Sequence, residues 1–185
     1  MDIKNSKRNI CTLDVDCTGC RACEQICPKS CVLMKPNGEG FLSPQIDQGL
    51  CIGCEKCLKI CPQYNHLNLF TPISVYAAFV LDRDILHKSS SGGIFAAAAK
   101  QFIEGGGVVW GCQLNDNLVA EHVKIMNLGD LHRLQGSKYV QSDVGKTYSQ
   151  VLQELKNGCR VLYSGTPCQI AGLYSYLGRK WDSLY

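Results

Sequence analysis

Two stretches decide the reading of this chain: CTGCRACEQICP from Cys17 to Pro28, and CIGCEKCLKICP from Cys51 to Pro62. They form an internal repeat with a constant offset of 34 residues, and both follow C-x2-C-x2-C-x3-C-P. Three closely spaced thiolates let one tight loop wrap a corner of an inorganic core, with backbone N–H groups turned toward its sulfurs. Gly19 and Gly53 occupy equivalent places, where a missing side chain lets the backbone approach closely. Pro28 and Pro62 fix φ and carry the chain away. Ile26 and Ile60, just before the fourth cysteines, are placed to keep water out.

This spacing is the bacterial ferredoxin run, in which the fourth cysteine of each run crosses to the other cluster. Carried over here, Cys17, Cys20, Cys23 and Cys61 hold one [4Fe–4S] cluster, and Cys51, Cys54, Cys57 and Cys27 hold the second. Zinc is the competing reading, but structural zinc sites more often use two C-x2-C pairs well apart in sequence. An identical repeat with a trailing proline favours iron–sulfur ligation. Arg21, Lys56 and Lys59 lie inside the runs and are expected to stabilise the more negative reduced clusters. Cys11 and Cys31 fall outside the pattern and read as small buried residues.

Ten of the 13 cysteines lie in residues 1–70, and only Cys112, Cys159 and Cys168 lie beyond. That shift divides the chain into a two-[4Fe–4S] domain over 1–70 and a second domain over 73–185, joined across Gln63 to Pro72. The first is short of large apolar residues, so its clusters are expected to serve as its core. The longest apolar run, Val75 to Leu81, has 7 residues, far short of the ~18 a membrane span needs. The start, MDIKNSKRNI, carries no apolar stretch of a secretory signal, which points to the cytoplasm. Disulfides are rare there, so dense cysteine indicates metal or redox chemistry. A net charge of +3 is no footprint for nucleic acid. With eight thiolates and two doubly positive cores, that charge becomes about −1.

The second region alternates strand and helix patterns. Strands are expected at 73–81, 108–114, 118–126 and 159–163, and helices at 94–104, 144–156 and 167–177. Three polar, glycine-bearing stretches adjoin these elements: Lys88–Ser89–Ser90–Ser91–Gly92–Gly93, Gly136–Ser137–Lys138–Tyr139–Val140–Gln141–Ser142, and Ser164–Gly165–Thr166–Pro167–Cys168–Gln169. Small residues feeding a helix N-terminus offer free N–H donors and a positive dipole end, which suit phosphate. The same residues also serve ordinary capping. His66, His87, His122 and His132 have no ligand spacing, although His122 sits in a strand pattern where it could face a cofactor. Cys168 begins a helix, where a thiol tends to acidify, and is a candidate reactive group.

The doubled run followed by KSSSGGIF at 88–95, GSKYVQSD at 136–143 and YSGTPCQIAGL at 163–173 resembles the coenzyme F-420 hydrogenase/dehydrogenase beta-subunit family. The resemblance implies an iron–sulfur flavoprotein oxidoreductase, in which FAD exchanges electrons with the clusters and with a small-molecule substrate or a deazaflavin. It makes Ser90, Ser91, Gly92, Gly93, Ser137, Lys138, Tyr139, Gly165, Thr166, Pro167, Cys168 and Gln169 flavin-site candidates. It also implies a redox partner protein: a ferredoxin, a reductase or a hydrogenase subunit. Family members usually continue into a further domain, so the second region is expected to be incomplete at its C-terminus. The expected fold class is α+β, a ferredoxin-like domain followed by a mixed α/β domain. Two other functions fit the same motifs: an electron carrier with no substrate of its own, and a non-catalytic subunit with structural clusters.

Overall fold

The structure is a computed structural model that describes residues 8–12, 16–65 and 72–185. His66 and most of the expected join (66–71) lie outside the described residues. The elements in chain order are α1 (Ala22–Ile26), β1 (Val32–Pro36), β2 (Leu42–Ile46), α2 (Lys56–Lys59), α3 (Arg83–His87), α4 (Ile94–Glu104), β3 (Val108–Leu114), β4 (Ala120–Ile125), α5 (Leu131–Leu134), α6 (Thr147–Lys156), β5 (Val161–Tyr163) and α7 (Pro167–Leu177). The class is α+β.

Two compact units result: Met1–Asn68 with Thr166–Lys180, and Leu69–Gly165 with Trp181–Tyr185. The sequence groups α7 with the second region, but this helix belongs to the first unit and packs against α1. Its end residues account for its regularity. Thr166 and Gln169 form a reciprocal capping box, Pro167 opens the helix, and Gly178 closes it in the left-handed region at φ 66°.

In the first unit, α1 and α2 each continue one cysteine run. The repeat is visible in the backbone: Gly19 and Gly53 have φ of 68° and 70°, and Arg21 and Glu55 have φ of 60° and 56°. Between the runs lies an antiparallel hairpin, β1 with β2, in the register Val32↔Ile46 to Pro36↔Leu42. Its loop turns on Asn37, whose Oδ1 accepts from the Glu39 and Phe41 N–H groups at 3.0 and 2.9 Å. Glu24 fastens α1 to this hairpin, pairing with Arg21 and accepting from the Met34 N–H at 3.0 Å.

The second unit is built on a sheet of order β4-β3-β5, antiparallel between β3 and β4 and parallel between β3 and β5. The parallel pair needs a crossover, which α5 and α6 provide. The C-terminal Ser183–Tyr185 extends the sheet beyond β5, with the Val161 N–H bonded to the Ser183 carbonyl at 2.8 Å. A core of Ala96, Ala99, Val109, Ile125, Leu131 and Leu134 fills the space between α4, α5 and the sheet. Trp110 is held from outside that core, its Nε1–H donating to Glu154 at 2.8 Å, and Lys124 pairs with the same carboxylate at 2.9 Å.

The expected strand at 73–81 is absent. The segment runs irregularly, and Ile73, Val75, Tyr76, Phe79 and Leu81 are between 66% and 103% exposed. Its β-branched and aromatic residues suit a strand, but a strand also needs a ladder partner. One backbone bond ties it down, from the Val80 N–H to the Gly92 carbonyl at 2.8 Å. Gly92 lies so close that a Cβ there would stand 2.3 Å from the Ala78 carbonyl oxygen. The Gly92→Ala variant is therefore expected to lose about 1–3 kcal/mol. Gly38→Ala, which meets open space, serves as the control. Both tryptophans lie in the second unit, so denaturant unfolding followed by tryptophan fluorescence reads this out; equal midpoints for the two variants would contradict it.

Candidate iron–sulfur centres

Two hollows open in the first unit, and the cysteines sort between them. One is lined by Cys17, Cys20 and Cys23 of the first run and Cys61 of the second. The other is lined by Cys51, Cys54 and Cys57 of the second run and Cys27 of the first. The crossing has a simple cause. Cys23 lies within α1 and Cys27 follows its last residue, so about one helical turn, roughly 6 Å of rise, separates them. Cys57 likewise lies within α2, and Cys61 follows its C-cap residue Ile60.

The backbone supplies donors to these sulfurs. The Gly19 N–H reaches Cys17 Sγ at 3.4 Å. Backbone N–H groups of Ala22 and Leu58 serve Cys20 and Cys57. Cys27 is the extreme case: burial raises its pKa, but N–H bonds from Cys31, Lys29 and Val32, with the Cys31 side chain, bring it below the ordinary thiol value.

Cys17, Cys20, Cys23 and Cys57 resist ionisation. Burial, assisted by neighbouring thiols, pushes Cys20 up to about 11 and Cys23 further still. Burial also raises Cys17 and Cys57. Four thiols in one hollow repel each other as thiolates, so the set ionises only around a compensating cation. The donor set fits an iron–sulfur core on a second ground. Among the described residues, no three His, Cys, Asp or Glu side chains converge tightly enough to hold a single metal ion. A four-iron core takes its thiolates at separate corners, as two ringed hollows provide, whereas a zinc ion needs four sulfurs within ~2.3 Å of one point.

Each hollow also has a fifth thiol that the motif does not include. Cys11 lines the first and Cys31 the second. The sequence reads both as buried, but Cys11 is exposed. Arg21 and Lys56 line the first and second hollows respectively, while Lys59 lines neither.

The flavin-site candidates divide between the units. Ser90, Ser91, Gly92, Gly93, Ser137, Lys138, Tyr139 and Gly165 belong to the second, and Thr166, Pro167, Cys168 and Gln169 to the first. Two of the stretches meet, the Ser137 N–H donating to Ser90 Oγ at 2.7 Å. Lys138 Nζ donates to the Arg133 and Gln135 carbonyls at 3.1 and 2.8 Å, and Tyr139 is exposed. Gly93 takes φ 76° as the N-cap of α4. Thr166 and Gln169 form the capping box, the Thr166 N–H donating to Gln169 Oε1 at 2.9 Å. Cys168 Sγ lies 3.1 Å from Thr166 Oγ1 and near enough to Cys20 to add to the upward push on that thiol.

His122 is a satisfied interior residue. It stacks on Tyr163 with ring centroids 5.3 Å apart, and its Nε2 lies 2.8 Å from the Ser164 carbonyl oxygen. A carbonyl only accepts, so Nε2 carries the hydrogen and Nδ1 accepts from the Ser142 hydroxyl at 3.0 Å. Burial lowers its pKa, which keeps the ring neutral near pH 7.

Residues 16–65 match the family model of the 4Fe-4S dicluster domain. A ferredoxin-type domain with iron–sulfur electron-transfer character therefore occupies this part of the chain. No match to a curated protein was found. No helix among the described residues is long and apolar enough to cross a membrane.

Raised thiol pKa values mean that protons compete with iron. A thiol whose pKa stands above the ordinary value holds its proton to higher pH, so filling the sites releases protons and is favoured as pH rises. Reconstitution at limiting ferrous iron and sulfide should load less iron per chain at pH 6.5 than at pH 8.5, as measured by colorimetric iron assay. Equal loading would contradict the assignment.

Proposed function

We propose that this protein is an iron–sulfur flavoprotein oxidoreductase similar to the coenzyme F-420 hydrogenase/dehydrogenase beta-subunit family. Cys17, Cys20, Cys23 and Cys61 hold one [4Fe–4S] cluster, and Cys51, Cys54, Cys57 and Cys27 hold the other. A flavin supplies two-electron chemistry toward a substrate and one-electron exchange toward a cluster.

The observation that carries this reading is the pairing of two four-cysteine hollows with α7, which belongs to the same unit and packs against α1. A helix that begins in the flavin-candidate stretch thus packs on α1, the helix that carries Cys23, which supports electron entry at the first cluster. In the second unit, the Ser90–Ser137 contact joins two stretches 47 residues apart and supports a shared role for them. The α4 N-terminus beside them, approached through Ser91 and Gly93, leaves N–H groups suited to a flavin pyrophosphate. Two observations favour an electron carrier without substrate: the capping box accounts for Thr166 and Gln169, and close backbone approach accounts for Gly92.

Anaerobic purification followed by iron, sulfide and flavin analysis separates these readings. The expected composition is about eight irons and eight sulfides per chain with bound FAD. Zinc in place of iron would overturn the cluster assignment. Reducible clusters that take up no FAD on reconstitution would overturn the flavoprotein reading in favour of the carrier.

A further inference from the structure

The two halves of the cysteine repeat differ just beyond their crossing cysteines. Cys31 stands four residues after Cys27, and the equivalent position after Cys61 is Asn65. Cys31 is 4% exposed, and its Sγ lies 3.3 Å from Cys27 Sγ. Its side chain also bonds toward Cys51. Both neighbours belong to the cysteine set of the second hollow. Asn65 instead turns its amide to the backbone, donating to the Leu58 and Lys59 carbonyls at 2.7 and 3.1 Å. The fifth thiol of the first hollow, Cys11, also turns away and donates to the Pro44 carbonyl at 3.1 Å. Each hollow thus has a spare thiol, but only one of the two bonds to a motif sulfur.

The consequence follows from the ligation proposed above, on which this inference rests. With Cys27 bound as a thiolate, it has no hydrogen to give, so Cys31 is the donor of the S–H···S bond. We propose that Cys31 is a potential-setting residue, a hydrogen-bond donor to the Cys27 thiolate that raises the reduction potential of the second cluster above that of the first. A thiol is a weak donor, but an anionic acceptor in a buried setting strengthens the bond. Reduction adds negative charge to the core and its thiolates, so the bond gains strength in the reduced state and favours it. Electrons entering at the first cluster then run downhill to the second.

Potentiometric titration of the anaerobic, iron-loaded full chain, followed by EPR, tests this. The parent protein should show two separate midpoints. Cys31→Ala should lower the higher midpoint and leave the other in place. Cys31→Ser, which keeps a donor, should recover most of that shift, and Cys11→Ala should move neither. Coincident midpoints in the parent, or an unmoved higher midpoint in a Cys31→Ala chain with full iron, would overturn the inference while leaving the cluster ligation standing. A Cys31→Ala chain holding about four irons in place of eight would mark Cys31 as a ligand and overturn it too. Zinc in the parent chain would instead remove the ligation reading itself.

Discussion

The first unit depends on one constraint: each cysteine run sends its fourth thiol into the hollow formed by the other run. Neither hollow is complete within one run, so the two halves of the repeat cannot separate without opening both. The connection is short and stiff, a single turn of helix between Cys23 and Cys27 and another between Cys57 and Cys61. Strain collects where the loops wrap. Arg21 and Glu55 both sit in the left-handed region, which disfavours a side chain by about 1–3 kcal/mol each. That the same cost recurs at equivalent positions ties it to the loop geometry rather than to either residue. Thiols gathered around each hollow, Cys23 and Cys51 among them buried, add a second cost that an iron–sulfur core would relieve by accepting thiolates.

The cysteine sorting was legible in the sequence because spacing is a local property. Offsets of three, three and four residues determine which thiols share a loop, and the repeat determines which must cross. The helices at 94–104 and 167–177 were legible for the same kind of reason, since caps and glycine stops are local signals. Other features depended on long-range placement. The 73–81 segment has strand composition, yet composition does not supply a partner strand. The membership of α7 in the first unit follows from packing against α1, which no pattern within 167–177 announces. The β1–β2 hairpin has a local signal too, the Pro36–Asn37–Gly38 turn between two apolar stretches.

The most informative residues lay just outside the motif. Cys31 reads as a small buried residue, and it is buried, but its Sγ also lies 3.3 Å from Cys27 Sγ, whereas Cys11 at the first hollow turns to the Pro44 carbonyl. The repeat makes this visible, because position 31 of the first run corresponds to position 65 of the second, where an asparagine stands instead of a thiol. Two sites built on one plan but unequal in hydrogen bonding suit a directed path for electrons more than a pair of identical stores. The second unit contributes a neutral, stacked His122 that braces the Ser164 carbonyl at the entry to the Gly165–Thr166 turn.

The central claim is crossed ligation of two four-iron clusters within one small unit, and the EPR spectrum of the fully reduced chain tests it most directly. With one helical turn between Cys23 and Cys27, clusters held in the two hollows would be near enough to couple magnetically when both are reduced. Crossed ligation of two clusters predicts a spectrum broadened by spin–spin interaction between them. A single isolated signal, or a reduced chain with no signal and no iron, would contradict it.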